Sequence, residues 1–155
     1  MSRGVKAAAT ASLLADARGL SGDFDSLSQA VAERVGLSPT DLLAMDLISR
    51  DGQTTAGQLA NRLHLTTGAI TGLIDRLEQS GLAKRTADAS DRRRVLVVTT
   101  AKGDRVGELF GPLAIALRRA TEGYSEKELV TLSDFLRKLR SAVAGAAEII
   151  RKSTE

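Results

Sequence analysis

The side chains of this chain that could act on another molecule are cationic and hydroxylated, and they are clustered. Residues 82–105 hold seven basic side chains (Lys84, Arg85, Arg92, Arg93, Arg94, Lys102, Arg105) against three acidic ones, a local balance of +4. Residues 38–81 hold three basic and five acidic side chains, a balance of −2. The formal net charge of +3 over 155 residues is therefore focused in one short segment, which suits a polyanionic partner such as double-stranded nucleic acid. Upstream, Thr66, Thr67, Gly68 and Thr71 gather small and hydroxylated residues where an apolar-periodic segment begins. Threonines in that position can hydrogen-bond base edges and touch thymine methyls, and a helix N-terminus favours phosphate. Asp91 stands two residues before Arg93, close enough to hold that guanidinium in one pose. An Arg at a hairpin tip can enter a narrow minor groove, whose negative potential attracts it. Lys84 and Arg85 are expected to meet phosphates.

Catalysis has little material. With no Cys, disulfides, thiolate metal sites, thiol nucleophiles and thiol redox sensing are excluded. The single His cannot build a His-rich metal site, so neither enzyme activity nor a metal or cofactor is expected. No run of 18 apolar residues is present, and no sustained apolar stretch follows Arg3 and Lys6. The expectation is a cytoplasmic protein with no membrane partner.

Several elements must position these side chains. Leu13, Ala17, Leu20, Phe24, Leu27 and Val31 recur at spacings of four and three, a heptad seam predicting a helix over residues 11–35. Gly19 and Gly22 allow a bend or break within it. Ser38 and Pro39 open a second helix that Asp51 and Gly52 close. Thr55 and Gln58 have capping-box spacing and open a third; Thr66 and Thr67 cap a fourth, with Ile70, Leu73, Ile74 and Leu77 inward. After Gly81 the apolar period changes to two, predicting strands at residues 82–86 and 95–99 around turn residues 87–91. Thr100 caps a fifth helix with Val106, Leu109, Phe110, Leu113 and Leu117 inward and a kink at Gly111-Pro112. Ser125 and Glu128 open the last helix. Its Leu129, Leu132, Leu136, Leu139, Val143, Ala146 and Ile150 form a second heptad seam.

Two short helices joined by a tight turn and followed by a β-hairpin make a winged helix-turn-helix. Ala60 supplies the small residue where the helices touch, with Ile70 and Leu73 at the apolar offsets. His64 occupies the position that needs positive φ, usually glycine, and His is among the residues enriched there. The stretches Leu59-Ala60-Asn61-Arg62-Leu63, Thr66-Thr67-Gly68-Ala69-Ile70-Thr71 and Leu73-Ile74-Asp75-Arg76-Leu77-Glu78, followed by Gly81-Leu82, resemble the MarR family (multiple-antibiotic-resistance regulators). So do the wing Asp88-Ala89-Ser90-Asp91-Arg92-Arg93-Arg94-Val95 and its exit Thr99-Thr100-Ala101-Lys102-Gly103. The resemblance spans nearly the whole chain. Gly72 departs from it, standing where related proteins often carry a long basic side chain.

The resemblance implies a homodimeric bacterial transcription regulator, often a repressor released by a small aromatic or anionic effector. It also implies that Arg93 enters the groove, with Arg92 and Arg94 on the DNA backbone. The expected fold is mainly α with a small hairpin (α+β), one compact domain overall. Residues 1–37 form an N-terminal dimerisation helix, 38–100 the DNA-binding lobe (wing at about 82–99), and 101–155 the C-terminal dimerisation helices. The DNA-binding set is Thr55, Thr66, Thr67, Gly68, Thr71, Lys84, Arg85, Asp91, Arg92, Arg93 and Arg94. The dimer set is Leu13, Ala17, Leu20, Leu129, Leu132, Leu136, Leu139 and Val143. A C2 dimer would set two recognition helices about 34 Å apart and read a pseudo-palindrome. Candidate effector contacts are Leu43, Met45, Leu47, Phe110 and Leu113. Two alternatives remain open: a regulator without an effector, and a winged-helix module that binds protein instead of DNA.

Overall fold

Local signals along the chain fold it as seven helices and one hairpin among the described residues, 3–91 and 93–153, of a computed structural model. Helix α1 (Arg3–Val35) starts earlier than the heptad seam and runs unbroken through Gly19 and Gly22. The alanines at 7–9 extend it, and two glycines at about 1 kcal/mol each do not interrupt so long a helix. Helix α2 (Pro39–Asp51) is capped by Ser38, whose Oγ accepts the Asp41 N–H at 3.1 Å, and ends at Gly52 with φ 72°. Helices α3 (Ala56–Leu63) and α4 (Thr67–Gln79) follow. Strands β1 (Ala83–Ala87) and β2 (Val95–Thr99) pair antiparallel from Ala83 opposite Thr99 to Ala87 opposite Val95. The first strand begins one residue later than expected, because the Leu82 N–H closes the end of α4 on the Leu77 carbonyl.

The expected fifth helix is two helices: α5 (Ala101–Glu108) and α6 (Gly111–Thr121). Pro112 has no N–H to bond the Glu108 carbonyl, so α5 stops at Glu108 and, after Leu109 and Phe110, a new helix begins with Gly111-Pro112 in its first turn. Leu117, predicted inward, is exposed. Helix α7 (Glu126–Lys152) starts at the Ser125–Glu128 capping box.

The chain divides into two compact units, Met1–Gly111 and Pro112–Glu155. In the first, Ile48, Leu59, Ile70, Leu73, Ile74, Leu77 and Val97 are fully buried, and Val31 and Ala32 of α1 join them. The wing is fastened to this core by a bridge that the sequence did not suggest. Thr54 exchanges two backbone hydrogen bonds with Val97, at 3.1 and 2.7 Å. At the start of α5, a Cβ on Gly103 would collide with the Leu82 carbonyl and stand 2.8 Å from the Met45 methyl, so only glycine fits. The second unit comprises α6 and α7, neither of which has a buried residue. Among the described residues no helix is long and apolar enough to cross a membrane.

Candidate nucleic-acid interface

The helix-turn-helix geometry rests on local caps. The Thr55 Oγ accepts the Gln58 N–H at 3.2 Å, and Gln58 Oε1 accepts the Thr55 N–H at 2.9 Å. This engages the Thr55 side chain within the start of α3. His64 takes the left-handed conformation (φ 53°, ψ 43°), and the Leu65 N–H returns to the Ala60 carbonyl at 2.9 Å. The turn therefore uses the position that the spacing from Ala60 predicts. Thr66 then caps α4, its Oγ accepting the Ala69 N–H at 3.3 Å. Thr67, Gly68 and Thr71 are exposed on the outer face of α4, opposite the buried Ile70, Leu73, Ile74 and Leu77. The Thr71 hydroxyl donates to the Thr67 carbonyl at 2.8 Å, leaving its oxygen able to accept from outside.

Two ion-paired clusters hold α4 in place. The Arg76 guanidinium makes a fork to Asp41 of α2, Nη2 to Oδ1 at 2.7 Å and Nε to Oδ2 at 3.2 Å. Burial pushes the Asp41 carboxyl up, but hydrogen bonds from Arg76 and Ser38 and the Arg76 charge outweigh it, so the group lies below the usual carboxylate range. On the wing side, Arg85 pairs with Asp75 at 2.8 Å and with Glu78, and its backbone N–H donates to Glu78 at 2.7 Å. Burial lowers the Arg85 guanidinium's pKa, while hydrogen bonds and charges from Asp75 and Glu78 raise it overall. Arg85 thus ties β1 to α4, and its charge is already met by carboxylates.

The wing tip is ordered by side chains gripping backbone. Asp88 Oδ1 accepts from the Ser90 N–H at 2.8 Å and from its hydroxyl at 2.6 Å, which holds the Asp88 carboxyl below its usual range. Asp91 Oδ1 accepts the Arg93 backbone N–H at 3.0 Å. The expected hold on the Arg93 guanidinium is corrected accordingly: a side chain two residues back reaches the nearer amide in an Asx-type turn. Asp91 fixes the backbone from which Arg93 projects. Arg93 is exposed, and its guanidinium has no ion pair among the described residues. Arg94 is exposed and 3.9 Å from Asp88, Lys84 is exposed, and Arg92 lies outside the described residues.

The Asp41–Arg76 pair, the Thr54 bridge and the Arg62–Asp51 ion pair between α3 and α2 escaped sequence reasoning. In the sequence Asp41 is simply an acidic residue in the first turn of α2. Nothing local connects it with a partner 35 residues away.

Away from this face, a cavity of about 70 Å³ lies between α2 and α5. Its lining includes Met45 and Phe110 of the candidate effector contacts, together with Leu42 and Val106. Leu43 is exposed, Leu47 is buried in the core, and Leu113 belongs to the second unit.

The sequence profile of the MarR family matches residues 37–95, from just before α2 to the first residue of β2. The HTH-type transcriptional regulator YcgE of Bacillus subtilis (strain 168) is 38% identical over 128 residues, 82% of this chain and 79% of that protein. The structure of a MarR family protein from Bacillus stearothermophilus superposes with a TM-score of 0.68 at 24% identity, over 93% of this chain and 99% of the other. A MepR variant from S. aureus, bound to an oligodeoxyribonucleotide, superposes with a TM-score of 0.55 at 22% identity, over 81% and 94%. The winged helix-turn-helix, its matching profile and its relatives agree: the chain belongs to the MarR family of DNA-binding, helix-turn-helix transcriptional regulators.

Proposed function

We propose that this regulator acts in the cytoplasm as a homodimeric repressor, with α4 in the major groove and the wing in the adjacent minor groove of a pseudo-palindromic operator. The observation that carries this reading is one platform with two exposed faces. Arg85 ties β1 to Asp75 and Glu78 of α4, while Thr67, Gly68, Thr71 and Arg93 are left exposed. Thr66, Thr67, Gly68 and Thr71 serve the major groove, Arg93 the minor groove, and Lys84, Arg92 and Arg94 the backbone. Thr55 and Arg85 act beneath them as cap and tether.

The second copy is supported by apolar side chains without cover. Leu13 and Leu20 of α1, and Leu132, Leu136 and Val143 of α7, are exposed at helical spacing. Exposed stripes of this kind mark interaction surfaces. Leu129 and Leu139 are half-buried on the same seam of α7, as is Ala17 on α1.

An effector would enter beside Met45 and Phe110. A cavity that binds benzene measures about 150 Å³, so the 70 Å³ present here must open before an aromatic acid fits. That shortfall also favours a second reading, a regulator that releases DNA without a small molecule. Thermal-shift screening of aromatic acids, followed by DNA release, separates the two: absence of both responses selects the second.

Binding to a duplex selected from random sequence tests the DNA reading. Arg93→Ala should weaken it at least tenfold while leaving oligomeric state and melting temperature unchanged. Wild-type affinity in that variant would remove the wing from the interface.

A further inference from the structure

Where α4 carries Gly72, no side chain of its own covers that turn, and the Arg76 guanidinium lies across the space instead. Nη1 of Arg76 is 3.7 Å from the place a Cβ on Gly72 would take. The other two nitrogens are already directed: Nη2 and Nε donate to the two oxygens of Asp41. Asp41 is only 3% exposed and its N–H is capped by Ser38, so the anchor is fixed on the α2 side. The Arg76 side chain nevertheless remains 56% exposed, and Nη1 has no partner among the described residues. A planar guanidinium with one edge clamped by a buried carboxylate presents its remaining donors in a fixed direction with little rotamer entropy left to lose.

The outer face of α4 otherwise offers the exposed Thr67, Gly68, Thr71 and Gln79 and the half-buried acidic Asp75, which is itself engaged with Arg85. Arg76 is therefore the cation that α4 itself brings to that face. We propose that Arg76, held by Asp41 across Gly72, donates through Nη1 to a DNA backbone phosphate at the edge of the groove that α4 occupies. The contact sets the register of α4 and carries no base information, which is the general division of labour between phosphate and base contacts. A Cβ at position 72 would stand in ordinary contact with the guanidinium, and glycine leaves the space beyond it to Arg76. The inference rests on the reading of α4 as the groove-facing helix.

Removing Arg76 alone strands a buried carboxylate, so the test uses the double variant D41N/R76Q, which leaves a neutral amide pair, beside Asp41→Asn. Both are compared with wild type on a duplex that wild type selects from random sequence, by phosphate-ethylation interference and by the salt dependence of affinity. D41N/R76Q should lose interference at one phosphate per bound protomer and keep it at the wing phosphates. Its salt slope should be shallower by about 0.9 for each phosphate no longer neutralised. Asp41→Asn should keep that phosphate in the footprint. A purely structural role predicts uniform weakening with an unchanged footprint and slope, and that result would overturn the proposal. Failure of wild type to enrich any duplex would instead overturn the DNA-facing reading of α4, and the proposal with it.

Discussion

In α4, Ile70, Leu73, Ile74 and Leu77 recur at helical spacing and all four are buried, whereas Leu132, Leu136 and Val143 of α7, equally regular, are exposed. Ile74 is 0% exposed, Leu136 49% and Val143 61%. The two helices carry the same class of side chain in the same kind of pattern. They differ in what surrounds them. Around α4 the chain supplies α2, α3, the hairpin and the end of α1, which close a core over it. The second unit has two helices and no buried residue on either. Periodicity thus identifies a face that seeks cover, and the number of neighbouring elements decides whether the chain supplies that cover itself. The proposed second copy follows from that shortfall.

Substitution tests the contrast most severely. Ile74→Ala should destabilise the protein by about 2–5 kcal/mol, the range for deleting a fully enclosed branched side chain, measured by denaturant unfolding. Leu136→Ala should leave the unfolding of dilute, dissociated protein nearly unchanged and instead raise the concentration at which it associates. Equal losses from the two variants in dilute protein would erase the distinction between a closed core and an open face. A smaller effect concerns acid. The Asp41 carboxyl has a lower pKa folded than unfolded, so its contribution is complete above the unfolded value and is lost as pH falls through the folded one. Melting temperature should decline along that acid limb, and Asp41→Asn should flatten the decline. An unchanged limb in the variant would mean that the Asp41–Arg76 pair does not help hold the lobe together.

Elements announced by neighbouring residues were legible in the sequence. Ser38, Thr55, Thr66, Thr100 and Ser125 each cap a helix where their spacing predicts, because a cap and its amide partner lie within three residues. His64 adopts positive φ for the same local reason. The hairpin was legible from its change of period, although Leu82 is drawn into the end of α4. What stayed hidden acts over distance: Arg76 reaches Asp41 across 35 residues, and Thr54 bridges to Val97. Arg85 looked like one more free cation of the basic segment. Only the return of β1 alongside α4 places it against Asp75 and Glu78. In the cationic cluster, sequence counts charges and structure separates those already neutralised from those left to meet a partner.

Sedimentation equilibrium of the free protein tests whether the open faces are completed by a second copy. The expected mass is twice the 16.4 kDa of one chain, falling to that of a single chain when Leu136 and Val143 are both replaced by Glu. A wild-type mass of 16.4 kDa across micromolar concentrations would contradict it.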